Sequence, residues 1–201
     1  MPNRDDRFQR TLYWLTFGLL ISLSSACGGP LFKVKPAVKL PALPSSAKTA
    51  DAGGVRVRVA PLLSDEESQD LFEANLPLAG VLPLRLELGY ETGGVPLELK
   101  RTRFRLRDGD GHEWKLLSPK QAIARILKAN DVFLYNPHSR KEFEKDFVAY
   151  AFDLKMPLAA AERRRQGFLF FQTPDRAAVR SPRGLVLSIE RLPQPVEIRL
   201  D

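Results

Sequence analysis

The sequence is poor in the residues that form disulfides and metal sites. Its 201 residues include one cysteine, Cys27, and two histidines, His112 and His138. A single cysteine excludes an intramolecular disulfide framework and every zinc or iron–sulfur site that needs several cysteines. The histidines lie far apart in the chain, and neither belongs to a metal-binding motif. We therefore expect no metal ion and no cofactor, and we expect both histidines to be surface or capping residues.

The motifs of common enzyme classes are absent as well. The chain contains no Gly-x-Ser-x-Gly nucleophile elbow, no phosphate-binding loop, no dinucleotide-binding glycine motif and no His-Glu-x-x-His sequence. No catalytic residue is therefore predicted, and binding or assembly is favoured over catalysis. The composition, 44% hydrophobic and 27% charged, is typical of a globular chain.

The amino terminus has the pattern of an export signal. Arg4, Arg7 and Arg10 are followed by an uncharged, mostly apolar run over residues 11–26. These 16 residues are fewer than the roughly 20 that an apolar helix needs to cross a bilayer core. Small residues precede Cys27, as a signal peptidase requires. Residues 1–26 are therefore predicted to be a cleaved signal peptide.

The end of this run carries a more specific motif. Ser24-Ser25-Ala26-Cys27 resembles the lipobox of bacterial lipoproteins. The resemblance implies that the Cys27 thiol receives a diacylglycerol, that cleavage occurs directly before Cys27, and that the new amino group is acylated. Two or three acyl chains hold a protein on a membrane almost permanently, at about 0.8 kcal/mol for each buried methylene. An ordinary secretory signal and an uncleaved membrane anchor are the alternatives.

The residue after the cysteine bears on the compartment. In lipoproteins of well-studied Gram-negative bacteria, an aspartate at this position favours retention in the inner membrane, whereas this chain has Gly28. The resemblance therefore implies a lipid-anchored protein of the cell envelope, in the outer membrane and facing the periplasm or the cell surface. An exported protein rarely meets nucleic acid, so no nucleic-acid partner is expected.

Residues 27–54 have the composition of a tether. The stretch is rich in proline, glycine, serine and lysine, and it contains one acidic residue, Asp51. Proline prevents regular helix, so a semi-extended linker is predicted. Its apolar residues, among them Leu40 and Leu43, are expected either to pack on the folded domain or to lie on the membrane.

The folded domain is predicted over residues 55–201, where apolar and polar residues alternate. The alternation predicts strands at 55–59, 84–90, 95–100, 103–107, 167–173, 184–190 and 196–200. Phe168-Leu169-Phe170-Phe171 is apolar on both faces, which predicts a central strand. Several short strands separated by turns favour an antiparallel β-sandwich.

Capping boxes predict three helices among these strands. They begin at Ser64, Ser118 and Ser139, and the first helix is expected to end near Ala74. The other two fall in a helical insertion at about 118–165. The aromatic stripe of the third helix is predicted to be core. The basic run at residues 163–165 is predicted to be a solvated helix end.

Part of the domain resembles a known class. The segment from Gly80 to Lys115 is similar to telokin-like, immunoglobulin-like accessory domains of bacterial surface lipoproteins. The matching features are a long strand, a Gly-rich turn, a strand that ends in Asp108-Gly109-Asp110-Gly111, and a late aromatic strand led by Gly167. The resemblance implies an immunoglobulin-like sandwich, interrupted by the helical insertion.

The segment from Asp108 to Glu113 alternates acidic residues with glycine. A calcium loop needs oxygen ligands at its first, third and fifth positions, a glycine at its sixth and a glutamate at its twelfth. If Asp108 is counted as the first position, Gly111 is at the fourth rather than the sixth, and the twelfth position is not a glutamate. A hairpin turn is therefore predicted in place of a calcium site.

Four arginines carry the one binding surface that the pattern indicates. They are Arg101, Arg103, Arg105 and Arg107. Their period-two spacing predicts that all four lie on one face of a strand, opposite Phe104 and Leu106. Arg85 and Lys100 are expected to add to the positive charge of this face. Such a surface suits an anionic ligand. The alternative is a solvated face on which these arginines pair with Glu87 and Glu98 of neighbouring strands.

These observations predict a non-catalytic binding or assembly module, held on the membrane by an N-terminal lipid. Its expected partner is an envelope protein or an anionic envelope polymer, in keeping with the net charge of +7. Two other classes stay open, namely a small hydrolase of envelope polymers and a subunit of an envelope secretion or transport assembly.

Overall fold

The computed structural model describes residues 40, 42–90, 95–129, 137–159 and 162–201, with the backbone alone for 137–139. All of them belong to one compact unit, Phe32–Asp201. The signal peptide, the lipobox with Cys27 and most of the tether lie outside the described residues. Their assignments therefore stay predictions.

The described chain contains eight strands and three helices. In chain order they are β1 Lys48–Asp51, β2 Val55–Pro61, α1 Asp65–Phe72, β3 Val81–Tyr90, β4 Arg103–Arg107, β5 Glu113–Leu117, α2 Pro119–Ala129, α3 Pro137–Ala149, β6 Arg164–Gln172, β7 Val186–Glu190 and β8 Val196–Arg199. The strands form one antiparallel sheet in the order β1-β2-β3-β6-β5-β4-β7-β8. The predicted mainly β fold is confirmed.

The sheet curls until its two edge strands approach each other. The Gln194 N–H donates to the Ala52 carbonyl at 3.3 Å, and the Lys48 ammonium donates to the Asp201 carbonyl at 2.9 Å. The result is a nearly closed, barrel-shaped sheet. The finer assignment, an immunoglobulin-like sandwich, stays a prediction.

Strand β6 explains why the domain has two cores. Leu169 and Phe171 point into the curled sheet, whereas Phe168 and Phe170 point outward beneath the helices. Both sets are buried, because β6 lies between β3 and β5 and has a core on each face. The prediction of a central strand is confirmed.

An aromatic cluster joins the helices to the outer face of β6. Its ring centroids are 4.9–6.4 Å apart in tilted, edge-on and stacked pairs, and its members are Phe72, Phe143, Phe147, Tyr150, Phe168 and Phe170. Aromatic rings favour such offset and edge geometries. The aromatic stripe of α3 is therefore core, as predicted.

Ser64 and Ser118 cap their helices as predicted, and the bonds of a full capping box are present at Ser118. The Ser64 hydroxyl accepts from the Glu67 N–H at 3.2 Å, and α1 ends at Phe72, two residues before the expected end. Ser118 and Gln121 cap each other reciprocally, at 3.3 and 2.9 Å. The third box was expected at Ser139, but α3 already begins at Pro137. Proline is well suited to a first helical turn because it lacks an N–H.

Two stretches differ from the sequence pattern. Residues 95–100 are not a strand: Val95 is 74% exposed, and the ladder contact is an isolated bridge between Leu97 and Leu158. Pro96 has no N–H for a longer ladder. In the other stretch, Lys48–Asp51 pairs with β2 although the tether was predicted to reach Gly54. Leu40 packs against the core between the helices and the outer face of the sheet, and Leu43 is buried. The chain therefore joins the folded domain before Val55.

The basic run at 163–165 is not a solvated helix end. Arg164 and Arg165 begin β6, and the Arg165 side chain is only 10% exposed. Its guanidinium contacts the Glu162 carboxylate and the carbonyls of Asp153, Met156 and Pro157. Arg165 thus fastens the segment after α3 to the sheet.

A second close contact lies two residues along the same strand. Phe152 donates its N–H to the Phe168 carbonyl at 2.9 Å, and Phe168 donates to the Tyr150 carbonyl at 2.7 Å. This backbone crossing passes directly over Gly167, where a Cβ would lie 2.6 Å from the Phe152 Cα. Gly167 is therefore required by close approach of two backbones.

Candidate functional site

The predicted arginine row is present on β4, but it has three members. Arg103, Arg105 and Arg107 are exposed, and Phe104 and Leu106 between them are buried. The fourth expected member, Arg101, lies in the turn before the strand and is exposed there. The alternation along β4 is therefore as predicted, and the row is one residue shorter.

The carboxylate partners are not those expected from the sequence. Arg105 lies 3.7 Å from Glu190 of β7, and Arg107 lies 3.2 Å from Glu197 of β8. Glu87 instead pairs with Arg58 at 3.4 Å, and Glu98 lies outside every strand. The expectation failed because β4 neighbours β5 and β7, whereas Glu87 is on β3.

Arg85 does not add to this surface. Its side chain is buried on β3, where it donates to the Gln166 side chain at 3.0 Å and to the Ala42 carbonyl at 3.5 Å. Burial lowers the pKa of Arg85, while Glu87 opposes that shift. It thus links the Ala42 backbone to the sheet, and the expectation that it joins an anionic-ligand surface was wrong.

One end of the row is strongly basic. We call Lys100, Arg101, Arg103 and Arg191 the basic end; all four are exposed, and none makes an ion pair with the residues that the structure describes. Arg191 directly follows Glu190, which is opposite Arg103 in the β4–β7 register. The sequence reasoning missed Arg191 because it comes from a distant turn that only the strand order brings to β4.

The other end of the row is charge-balanced. A groove of about 480 Å³ is lined there by Arg105 and Arg107 together with Glu113, Glu190 and Glu197. The Ser188 hydroxyl also donates to Glu197 at 2.9 Å. Because three carboxylates line it against two arginines, this groove offers no excess of positive charge to an anion.

The segment Asp108–Glu113 forms the predicted hairpin turn between β4 and β5. The Asp108 carboxylate accepts from the N–H groups of Asp110 and His112 at 3.1 and 2.9 Å, and from the Trp114 indole at 3.2 Å. Burial raises the pKa of Asp108, but the hydrogen bonds from His112 and Trp114 outweigh it, and the net pKa is lowered. Asp108 is a turn-stabilising carboxylate.

In the same turn, a histidine and two carboxylates lie close enough together that they could in principle hold a metal ion. Ligand atoms of Asp108, Asp110 and His112 lie within 4.8 Å of one another, and His112 Nδ1 is 3.4 Å from Asp108. Since the Asp108 oxygens already accept three hydrogen bonds, the group is explained as turn structure. His138 belongs to α3, and its side chain lies outside the described residues.

A cleft separates this turn from the long loop between β6 and β7. Its volume is about 860 Å³, and the turn 108–112 and the loop residues 173–183 form its two walls. The half-buried Val179 and Pro182 line it with apolar surface beside the buried Trp114, while Asp110, Asp175, Arg180 and Arg183 are exposed around it. This cleft was not expected from the sequence, because its walls are far apart in the chain.

None of the helices in the described ranges has the length and apolar character needed to cross a bilayer. Comparison of the chain with protein-family models, with curated proteins and with solved structures found no match. The site must therefore be interpreted from its own chemistry.

Proposed function

We propose that this protein is a lipid-anchored cell-envelope protein whose β domain is a non-catalytic module that binds an anionic envelope polymer. The observation that carries the proposal is the basic end, where four exposed cations, close in the chain or in the β4–β7 register, make no ion pair with the residues that the structure describes. Guanidinium groups bind carboxylates and phosphates through paired hydrogen bonds. Arginines free of local partners lose no existing ion pair when they bind.

The same geometry favours binding over hydrolysis of a polymer. A glycoside hydrolase uses one carboxylic acid with a raised pKa as proton donor and a second, facing carboxylate. Asp108 is the most enclosed carboxylate of the turn, and its pKa is lowered rather than raised. It is also held by three hydrogen bonds, so it cannot readily donate a proton.

We also propose that the domain is built as an immunoglobulin-like sandwich, with β1, β2, β3 and β6 in one layer and β4, β7 and β8 in the other. Support comes from β5, which pairs with β4 through Glu113 and Trp114 and with β6 through residues 115–117. A strand that changes partners in this way can turn the corner between two layers. An experimental structure in which the sheet curves evenly through β5 into a barrel, with no corner between two layers, would contradict this arrangement.

The anchor is tested at the cysteine. Replacing Cys27 by serine is expected to abolish incorporation of labelled fatty acid and to move the protein from the membrane to the soluble fraction, because serine cannot accept the thioether-linked lipid. Metabolic labelling followed by membrane fractionation measures both. Labelling that persists in the Cys27→Ser protein would refute lipidation at this residue.

The basic end is tested with a soluble polyanion. The triple variant Arg101→Gln, Arg103→Gln, Arg191→Gln is expected to bind dextran sulfate about tenfold more weakly than the wild type at 0.1 M salt, and neutral dextran is expected not to bind. The full chain is measured in neutral detergent by microscale thermophoresis.

The matched control removes the same charge elsewhere. In Lys120→Gln, Lys141→Gln, Lys145→Gln, three exposed helix lysines are neutralised, and the affinity for dextran sulfate is expected to fall less than about twofold. Equal losses in both triple variants would show that only net charge matters and would refute a defined site. Retention of an acidic envelope protein, but not of the polyanion, would replace the polymer with a protein partner.

A further inference from the structure

The cleft between the β4–β5 turn and the β6–β7 loop has the properties of a formed small-ligand site. Its volume of about 860 Å³ falls within the range of roughly 300–1,000 Å³ that small-molecule sites occupy. Its lining combines half-buried apolar surface from Val179 and Pro182, beside the buried Trp114, with charged side chains from both walls. This mixture is typical of sites in which apolar contact supplies affinity and polar groups fix orientation.

Both walls are fixed by hydrogen bonds, so the cleft exists before any ligand binds. On the loop wall, the Val179 N–H donates to the Pro77 carbonyl at 2.8 Å, and the Thr173 hydroxyl donates to the Ala177 carbonyl at 2.7 Å. The Arg125 guanidinium of α2 donates to the carbonyls of Ala79 and Arg176. A rigid cleft loses little conformational entropy on binding.

The turn wall is fixed equally well. Asp108 accepts from its own turn and from the Trp114 indole, and the Gly109 N–H donates to the Arg183 carbonyl at 2.9 Å, which joins the two walls at one end. The groups that hold the walls are mostly backbone, together with two carboxylates: Asp108 in the turn, and Asp175 in the loop, which accepts from the Ala177 N–H at 3.0 Å. The other charged side chains at the cleft are therefore left for a ligand.

Those remaining side chains have opposite signs on the two walls. The turn offers the Asp110 carboxylate, and the loop offers the guanidinium groups of Arg180 and Arg183. All three are exposed and make no side-chain hydrogen bond or ion pair with the described part of the chain. A ligand that complements this arrangement carries an amine on one side and a carboxylate on the other.

We infer that this cleft binds a short peptide that carries both an amino group and a carboxylate, with the carboxylate on Arg180 and Arg183, the amine on Asp110, and the peptide backbone against the apolar surface of Val179 and Pro182. The site is separate from the basic end, so it does not depend on the polyanion proposed above. It gives the protein a second ligand of a different chemical class.

The inference is tested with the tripeptide Lys-Ala-Glu and an uncharged tripeptide, acetyl-Ala-Ala-Ala-amide, as probes. Calorimetric titration of the full chain in neutral detergent is expected to show binding of Lys-Ala-Glu at least about tenfold tighter than that of the uncharged peptide. Both Asp110→Asn and the double variant Arg180→Gln, Arg183→Gln are expected to lose about tenfold in affinity for Lys-Ala-Glu.

The helix variant Lys141→Gln, which removes an exposed charge away from the cleft, is the control and is expected to bind Lys-Ala-Glu as the wild type does. Equal binding of the charged and uncharged peptides, or unchanged affinity in both cleft variants, would overturn the inference. The inference would also be overturned if acetyl-Ala-Glu, which lacks an amine, bound as tightly as Lys-Ala-Glu, since the cleft would then be a site for anions alone. The three peptides are compared on the wild-type protein, so this comparison stands even if a variant folds poorly.

Discussion

Replacing Arg165 by alanine is expected to lower the free energy of unfolding by about 3 kcal/mol. The guanidinium donates to Glu162 Oε1 at 2.9 Å and to the carbonyls of Asp153 and Pro157 at 3.1 and 3.0 Å, with a further bond to Met156. Removing it leaves those carbonyls without their charged donor, while residues 153–157 and Glu162 lose this attachment to β6. Urea unfolding followed by circular dichroism measures the change.

The neighbouring arginine provides a matched control. Arg164 is next in the same strand, carries the same charge and is exposed. Arg164→Ala is therefore expected to change the free energy of unfolding by less than about 0.5 kcal/mol. Equal losses in the two variants would show that the contacts of Arg165 contribute no more than its charge does.

The Arg165 contact also predicts a pH dependence. The hydrogen bond from Arg165 lowers the pKa of Glu162 below its ordinary value of 4.5, although burial opposes the shift. The stabilisation by the ionised carboxylate is therefore complete above pH 4.5, and it is lost as the pH falls through the lowered pKa of the folded state. The stability difference between wild type and Arg165→Ala should accordingly narrow below pH 4.5 and stay constant above it.

Replacing Gly167 by alanine is expected to cost about 3 kcal/mol as well, for a steric reason. The added Cβ would lie 2.6 and 2.7 Å from the Cα and N of Phe152, which are backbone atoms and cannot move aside as a side-chain tip could. The crossing at 150–152 would have to shift, which would stretch its two hydrogen bonds to Phe168. Thermal unfolding and urea unfolding both report the loss.

A second strand glycine separates this contact from the general effect of glycine. At Gly89 of β3 the nearest atom to an added Cβ is 3.7 Å away, an ordinary contact. Gly89→Ala is expected to be within about 0.5 kcal/mol of the wild type, because alanine also reduces the entropy of the unfolded chain. If Gly167→Ala were as well tolerated as Gly89→Ala, the close backbone approach would not exist in solution.

Local features of the sequence were predictable because their causes are local. The burial of Phe104 and Leu106 follows from period-two alternation, and the capping of α2 follows from Ser118 and Gln121 three residues apart. The central position of β6 follows from its two apolar faces. Each of these features depends on residues close in the chain.

The partners of charged residues were not predictable, because they depend on strand order. The pairing of Arg105 with Glu190 requires β4 to lie beside β7, and no short-range pattern encodes that choice. Arg165 looked like part of a solvated basic run, yet it reaches carbonyls up to twelve residues away in the chain. The short strand β1 was missed because Lys-Thr-Ala-Asp carries little β-propensity and pairs at a sheet edge.

The packing of Leu40 on the outer core changes how far the domain can move from its anchor. If Cys27 carries the lipid, thirteen chain steps lead from it to Leu40, which at about 3.5 Å each reach at most about 45 Å. A tether that ran to Gly54 would have reached about 95 Å. The volume that the domain can explore around its anchor scales with the cube of the tether length. The shorter tether therefore raises the effective concentration of the basic end and of the cleft near the membrane roughly tenfold.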